Sequence, residues 1–176
     1  MGDQAELLWE CDNDYDTEIK YEKGTAKASA NQGVCSGLSA EWCKNILKGV
    51  RPELSKPFLL QGMIYQRFYD WGADRAEANA KLMATAGLTQ RSKLDFATAR
   101  LAAQGLWRSE AVFLVGLTNH MIAVAKTANT KVLLLFDPNF GCYSVVSELR
   151  LQELIEQAQK AVSAGKSLDT RAVDLA

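Results

Sequence analysis

The hydrophobic period of this chain changes near Gly105, and that change limits the architectures open to it. Before it, apolar residues recur every three and four positions, the spacing of amphipathic helices. After it they come in short β-branched or aromatic runs between turn-like residues. Strands joined so tightly pair antiparallel, and helices followed by such strands predict an α+β domain. With 176 residues, 48% of them apolar, the chain can build one domain with a sizeable core.

Four helices are expected before the change. The first runs from about Ser36 to Lys48 and stops at Gly49. Leu38, Trp42, Cys43, Ile46, Leu47 and Val50 share its apolar face, and Ser39, Glu41, Lys44, Asn45 and Lys48 the other. The second spans Phe58 to Trp71, with Leu60, Ile64, Phe68 and Trp71 as its core stripe. An alanine-rich third covers Asp74 to Ala86 and ends at Gly87. A fourth is expected from Ser92, whose spacing to Asp95 mimics a capping box, to just before Gly105.

Strands follow at Ala111 to Leu117, Met121 to Ala125, Val132 to Phe136 and Tyr143 to Val146. A hairpin loop is expected at Thr127 to Thr130, and a proline-glycine turn at Pro138 to Gly141. A last helix begins at Ser147, places Leu151, Leu154, Ile155, Ala158, Ala161 and Val162 on one face, and ends at Gly165. Ser167 to Ala176 reads as a polar tail. At the other end, Leu7 to Trp9 reads either as a short strand or as an anchor for an otherwise aperiodic arm. The chain thus divides into an arm over 1–30, a folded domain over 31–165 and a tail over 166–176.

Charge and composition exclude several functions. A net charge of −1 without a basic block argues against nucleic acid and anionic membrane surfaces. No apolar run reaches membrane-spanning length, and the acidic start lacks the layout of a signal peptide. Four cysteines without a C-x-x-C pair, and a single histidine, make no zinc set, so neither metal nor cofactor is expected. Any imidazole chemistry must run through His120.

Cys35 follows a small-residue turn and opens the first helix, where unpaired N–H groups and the helix dipole favour a thiolate. Taken alone, it is a nucleophile candidate or one more small buried residue. His120 opens a strand in Thr118-Asn119-His120-Met121, and Asp137 ends the next in Phe136-Asp137-Pro138. A lone strand histidine and an Asp-Pro turn each have ordinary structural readings. If the two strands pair through a loop near Ala128, however, residues whose numbers sum to about 257 lie opposite, and His120 with Asp137 fit that register. A thiol, an imidazole to move its proton and a carboxylate to orient the imidazole make a nucleophilic set.

Three blocks also resemble the YopT/AvrPphB family of bacterial effector proteases: Gly33-Val34-Cys35-Ser36-Gly37-Leu38-Ser39-Ala40-Glu41-Trp42, the Asn119-His120 strand, and Phe136-Asp137-Pro138-Asn139-Phe140-Gly141. The resemblance implies a papain-like fold over 31–165, with the nucleophile at a helix start in a helical first half. An antiparallel sheet and a C-terminal helix complete it. It implies Cys35 as nucleophile, His120 as general base and Asp137 as orienter, with an oxyanion-hole amide from Asn31 or Gln32, Asn31 preferred. It further implies a cysteine endopeptidase acting through a thioester acyl-enzyme on a protein substrate in a target-cell cytoplasm. Such a protein would be delivered by a non-Sec route, with a secretion chaperone or parent toxin chain as partner. The same residues could serve a peptidoglycan amidase or a deamidase, or the fold could persist as a non-catalytic binding module.

Overall fold

The computed structural model describes residues 5–11, 33–126, 132–160 and 167–176. They form β1 (Ala5–Glu10), α1 (Cys35–Leu47), α2 (Lys56–Asp70), α3 (Arg75–Ala86), β2 (Leu88–Phe96), α4 (Ala99–Arg108), β3 (Val112–Gly116), β4 (Met121–Lys126), β5 (Leu133–Asp137), β6 (Gly141–Val145), α5 (Glu148–Lys160) and β7 (Leu168–Leu175). The seven strands make one antiparallel sheet in the order β1-β6-β5-β4-β3-β7-β2, so the protein is α+β. None of the described helices is long and apolar enough to cross a membrane.

Successive residues of the central strands serve two cores, because side chains alternate across a sheet. Leu114, Met121, Ala123, Ala125 and Phe136 pack under α1, α2 and α3. Phe113, Val115, Ile122, Val124, Leu133 and Leu135 pack with α4 and α5 on the opposite face. That double burial is why β3 to β5 read as near-continuous apolar runs. β1 is both strand and anchor. Trp9 sits 5.2 Å from Phe136 and donates its indole N–H to the carbonyl of Pro52 at 3.1 Å.

The caps follow local chemistry. Ser55, Asp74 and Thr98 each accept a hydrogen bond from the third N–H beyond them. Gly49 and Gly87 end α1 and α3 with φ near +70°. At the α1–α2 crossing, a Cβ on Gly37 would lie 1.8 Å from the carbonyl oxygen of Gly62, so only glycine admits this backbone contact.

Four expectations are corrected. Leu88–Phe96 is a strand rather than the start of a helix. It pairs with β7 along its length, so the helix begins after Thr98 and carries Gly105 in its interior, where Phe96 fills the missing side chain's place. Leu168–Leu175 is not a polar tail but a strand between β3 and β2, with Leu168, Thr170, Ala172 and Val173 buried. The stripe on α2 points outward, with Trp71 65% and Ile64 47% exposed. The helix packs instead through Phe58 against Trp9 and Phe136, Gly62 against Leu38, and Tyr65 and Gln66, which bond to Lys44 and to the N–H of Gly37. Ser39, expected on the outer face of α1, is fully buried, and Val50 is exposed beyond the helix end.

The loop expected at Thr127 to Thr130, and Ala161, Val162 and Gly165 of the last helix, lie outside the described residues. Leu151, Leu154, Ile155 and Ala158 are buried as expected.

Because β7 bonds to strands on both sides, a proline within it removes a ladder bond and clashes. Ala172→Pro is expected to cost on the order of 3 kcal/mol by urea denaturation. An unchanged midpoint would contradict the pairing.

Candidate active site

The first turn of α1 is built by a glycine, a buried amide and the helix's own carbonyls. Cys35 is the first helical residue, and Leu38 donates to the carbonyl of Val34 at 3.0 Å. Gln66 of α2 accepts the N–H of Gly37 through its side-chain oxygen at 3.0 Å and donates to Asp70 Oδ1 at 2.8 Å. It thereby satisfies one of the N–H groups that a helix start leaves over.

His120 ends the short turn between β3 and β4. Leu117 donates its N–H to the carbonyl of His120 at 2.8 Å, and Arg75 Nη2 donates to the carbonyl of Leu117 at 2.6 Å. Asp137 ends β5, held in the sheet by Phe136, whose ring is stacked 6.0 Å from Trp42 and is flanked by Trp9 and Phe58. The His120 Nε2 to Asp137 Oδ1 distance is 2.7 Å, with both side chains buried. The same oxygen accepts the N–H of Asn139 at 2.9 Å, so the turn after the strand fixes the carboxylate.

The expected register was wrong by two residues. β4 and β5 pair Ala123↔Phe136 and Lys126↔Leu133, so paired numbers sum to 259 rather than 257. The reason lies at the far end of β4. Lys126 stays in the strand because its N–H bonds to the carbonyl of Ala111 and its ammonium to that of Trp107, and there it pairs with Leu133. A slip of two keeps every side chain on its face, so His120 and Asp137 still meet, across a diagonal rather than directly.

With Nε2 on the carboxylate, Nδ1 is the ring nitrogen left for Cys35, which lines the same cleft. Burial, the largest single influence, disfavours a charged imidazole. The hydrogen bonds to Asp137 and Cys35, with their charges, outweigh it and raise the pKa to about 9. Cys35 and His120 open onto a cleft of about 450 Å³. Gly33, Ser36, Leu117, Thr118, Asn119 and Met121 line it with them, as do Gln66, Tyr69 and Asp70 of α2 and Arg75 of α3. Burial pushes the Tyr69 hydroxyl's pKa up, against the pull of Arg75 and of a hydrogen bond to Ser36.

The structure therefore brings Cys35 and His120 to one cleft, with Asp137 bonded to the imidazole, whereas Asn31 and Gln32 lie outside the described residues. The α2 and α3 wall of the cleft was not among the expected site residues. Its signal was there: Gln66, Tyr69 and Asp70 recur at three and four positions, a polar stripe beside the apolar one. A thiol bonded to an imidazole that a carboxylate orients can attack a carbonyl carbon and shuttle the proton. Among the described residues, no three His, Cys, Asp or Glu side chains gather as a metal site would need.

The fold is similar to that of the Pseudomonas avirulence protein AvrPphB, with a TM-score of 0.63 and 20% identity over 81% of this chain and 92% of that one. It is also similar to PatoxP, a cysteine protease-like domain of the Photorhabdus asymbiotica toxin PaTox. There the TM-score is 0.59, with 10% identity over 96% of this chain and 54% of that one. These likenesses bear out the papain-like α+β fold expected from the three sequence blocks. No protein-family model and no curated protein sequence matches the chain.

Two measurements check the site. His120, the only histidine, is expected to titrate by NMR near 9, with a lower midpoint in Asp137→Asn. Its folded value lies above the unfolded one of about 6.5. The stability it contributes is therefore complete below about 6.5 and is lost as pH rises through about 9. A midpoint near 6.5 in the folded protein would show that the pairing is absent.

Iodoacetamide at neutral pH is expected to label Cys35, which opens on the cleft, before the other thiols. Burial pushes Cys142 up to about 11 and Cys43 higher still. Peptide mapping that finds Cys142 or Cys43 modified as fast would contradict this.

Proposed function

We propose that the protein is a cysteine endopeptidase of the bacterial effector or toxin type. The observation that carries this reading is the buried His120–Asp137 pair, whose imidazole shares a polar cleft with Cys35. The fold it shares with AvrPphB and with the cysteine protease-like domain PatoxP supports it.

In this reading His120 takes the proton of Cys35 through Nδ1, and the sulfur attacks the carbonyl carbon of the scissile peptide bond. The resulting oxyanion accepts hydrogen bonds from the backbone N–H of Cys35 and from an amide side chain, Asn31 in preference to Gln32. His120 then gives its proton to the leaving amine, which departs and leaves a thioester on Cys35. Water, deprotonated by His120, attacks the thioester, and the acid product and free thiol are released. Asp137 keeps Nε2 protonated and the ring aimed at the sulfur throughout.

The substrate in this reading is a protein of the target cell, met in its cytoplasm after delivery by a non-Sec route. A secretion chaperone or a parent toxin chain is the accompanying partner.

Cys35→Ala and His120→Ala are each expected to abolish cleavage while leaving the circular dichroism unchanged. The double variant should be no worse than either, since the pair acts as a unit. Asp137→Asn is expected to retain more turnover, because an asparagine still accepts the ring N–H. The assay is mass spectrometry of new protein termini in a host lysate, with Cys35→Ala as control. New termini at equal yield in that control would overturn the reading. A reactive Cys35 that yields no new termini would favour deamidation or an amidase instead.

A further inference from the structure

Ser39 lies one helical turn beyond Cys35 on the same face of α1. It is fully buried, and its hydroxyl donates to the main-chain carbonyl of Met121 at 3.0 Å. Met121 is the residue directly after His120. Strand geometry explains why that carbonyl takes a side-chain partner. His120 turns its own carbonyl toward β3, where Leu117 N–H binds it. Neighbouring residues of an antiparallel strand alternate in direction, so the carbonyl of Met121 turns toward β5. At that level the ladder has not begun, since β4 and β5 first pair at Ala123↔Phe136. Ser39 supplies a donor where the ladder does not.

We propose that Ser39 is a positioning residue for the Cys35–His120 pair. One hydroxyl joins the helix that carries the thiol to the backbone that carries the imidazole, and so sets the separation of sulfur and ring. The consequence for turnover rests on the cysteine-peptidase reading. The placement of His120 does not, and can be followed without any substrate.

The same helix contains its own control. Cys43, one further turn along this face, contacts the carbonyl of Phe113 in β3 through its sulfur at 3.8 Å. Both side chains tie α1 to the sheet, but only the Ser39 tie ends beside His120. A merely structural role would make the two interchangeable.

The full chain is compared with Ser39→Ala, Cys43→Ala and Ser39→Thr by melting temperature, by NMR titration of His120 and by the rate of Cys35 alkylation at neutral pH. Ser39→Ala and Cys43→Ala are both expected to melt lower. Only Ser39→Ala should lower the His120 midpoint, by about one unit, and slow alkylation about tenfold. Ser39→Thr, which keeps the hydroxyl, should restore both. On a cleaved substrate Ser39→Ala should lower kcat about tenfold to a hundredfold with KM within about twofold.

A wild-type His120 titration in Ser39→Ala, or an equal shift in Cys43→Ala, would overturn the proposal. Should Ser39→Ala fail to fold, Ser39→Cys, with a similar volume and a weaker donor, must give a smaller shift of the same sign or the proposal falls. A shifted His120 midpoint in a protein that cleaves nothing would leave the positioning role standing and remove only the peptidase reading.

Discussion

A helix that buries its N-terminus must find partners for N–H groups that its own carbonyls cannot reach. In this protein that demand organises the site, because the residues from Cys35 to Ala40 at the start of α1 are all buried. Gln66 answers it from α2 by accepting the N–H of Gly37. The bond is possible only because glycines at 37 and 62 let the two backbones touch. The same amide then lines the cleft and holds Asp70. The contact that satisfies the helix start therefore also builds one wall beside the thiol.

The other wall depends on the sheet. Trp9, Trp42 and Phe58 surround Phe136, joining β1, α1 and α2 to the end of β5. Asp137 follows Phe136, and its carboxylate is buried where an unpaired charge would be costly. His120 Nε2 and the Asn139 N–H meet that cost at one oxygen. The backbone of His120 is in turn held by the N–H of Leu117, whose carbonyl Arg75 binds from α3. Cys35, His120 and Asp137 are each positioned by a different element, so the site belongs to the fold rather than to one loop.

Much of this was legible in the residues. The helix-start cysteine, the helix starts at Asp74 and Ser147, the stops at Gly49 and Gly87 and the four strands from β3 to β6 all depend on local chemistry and appear where their spacing put them. Ser92 and Asp95 mimic a cap equally well, yet they sit in a strand, because β7 arrives from about eighty residues away to pair with them. Its own residues, with Asp169, Arg171 and Asp174 between the apolar ones, carry too little local signal to announce a buried strand.

Which residues share a face can be read from their spacing alone, since the periods of helix and strand are set by backbone geometry. That is why His120 and Asp137 meet despite a register two residues from the expected one: a shift of two leaves every side chain on its own side. Which face turns inward depends on the packing of elements distant in the chain. The apolar stripe of α2 looks out while Tyr65 and Gln66 look in, and the small polar Ser39 is buried against β4. The direction of a face follows from what packs against it. Gln66 and Ser39 turn inward because each meets a main-chain group, the N–H of Gly37 and the carbonyl of Met121, that an apolar side chain would leave unpaired.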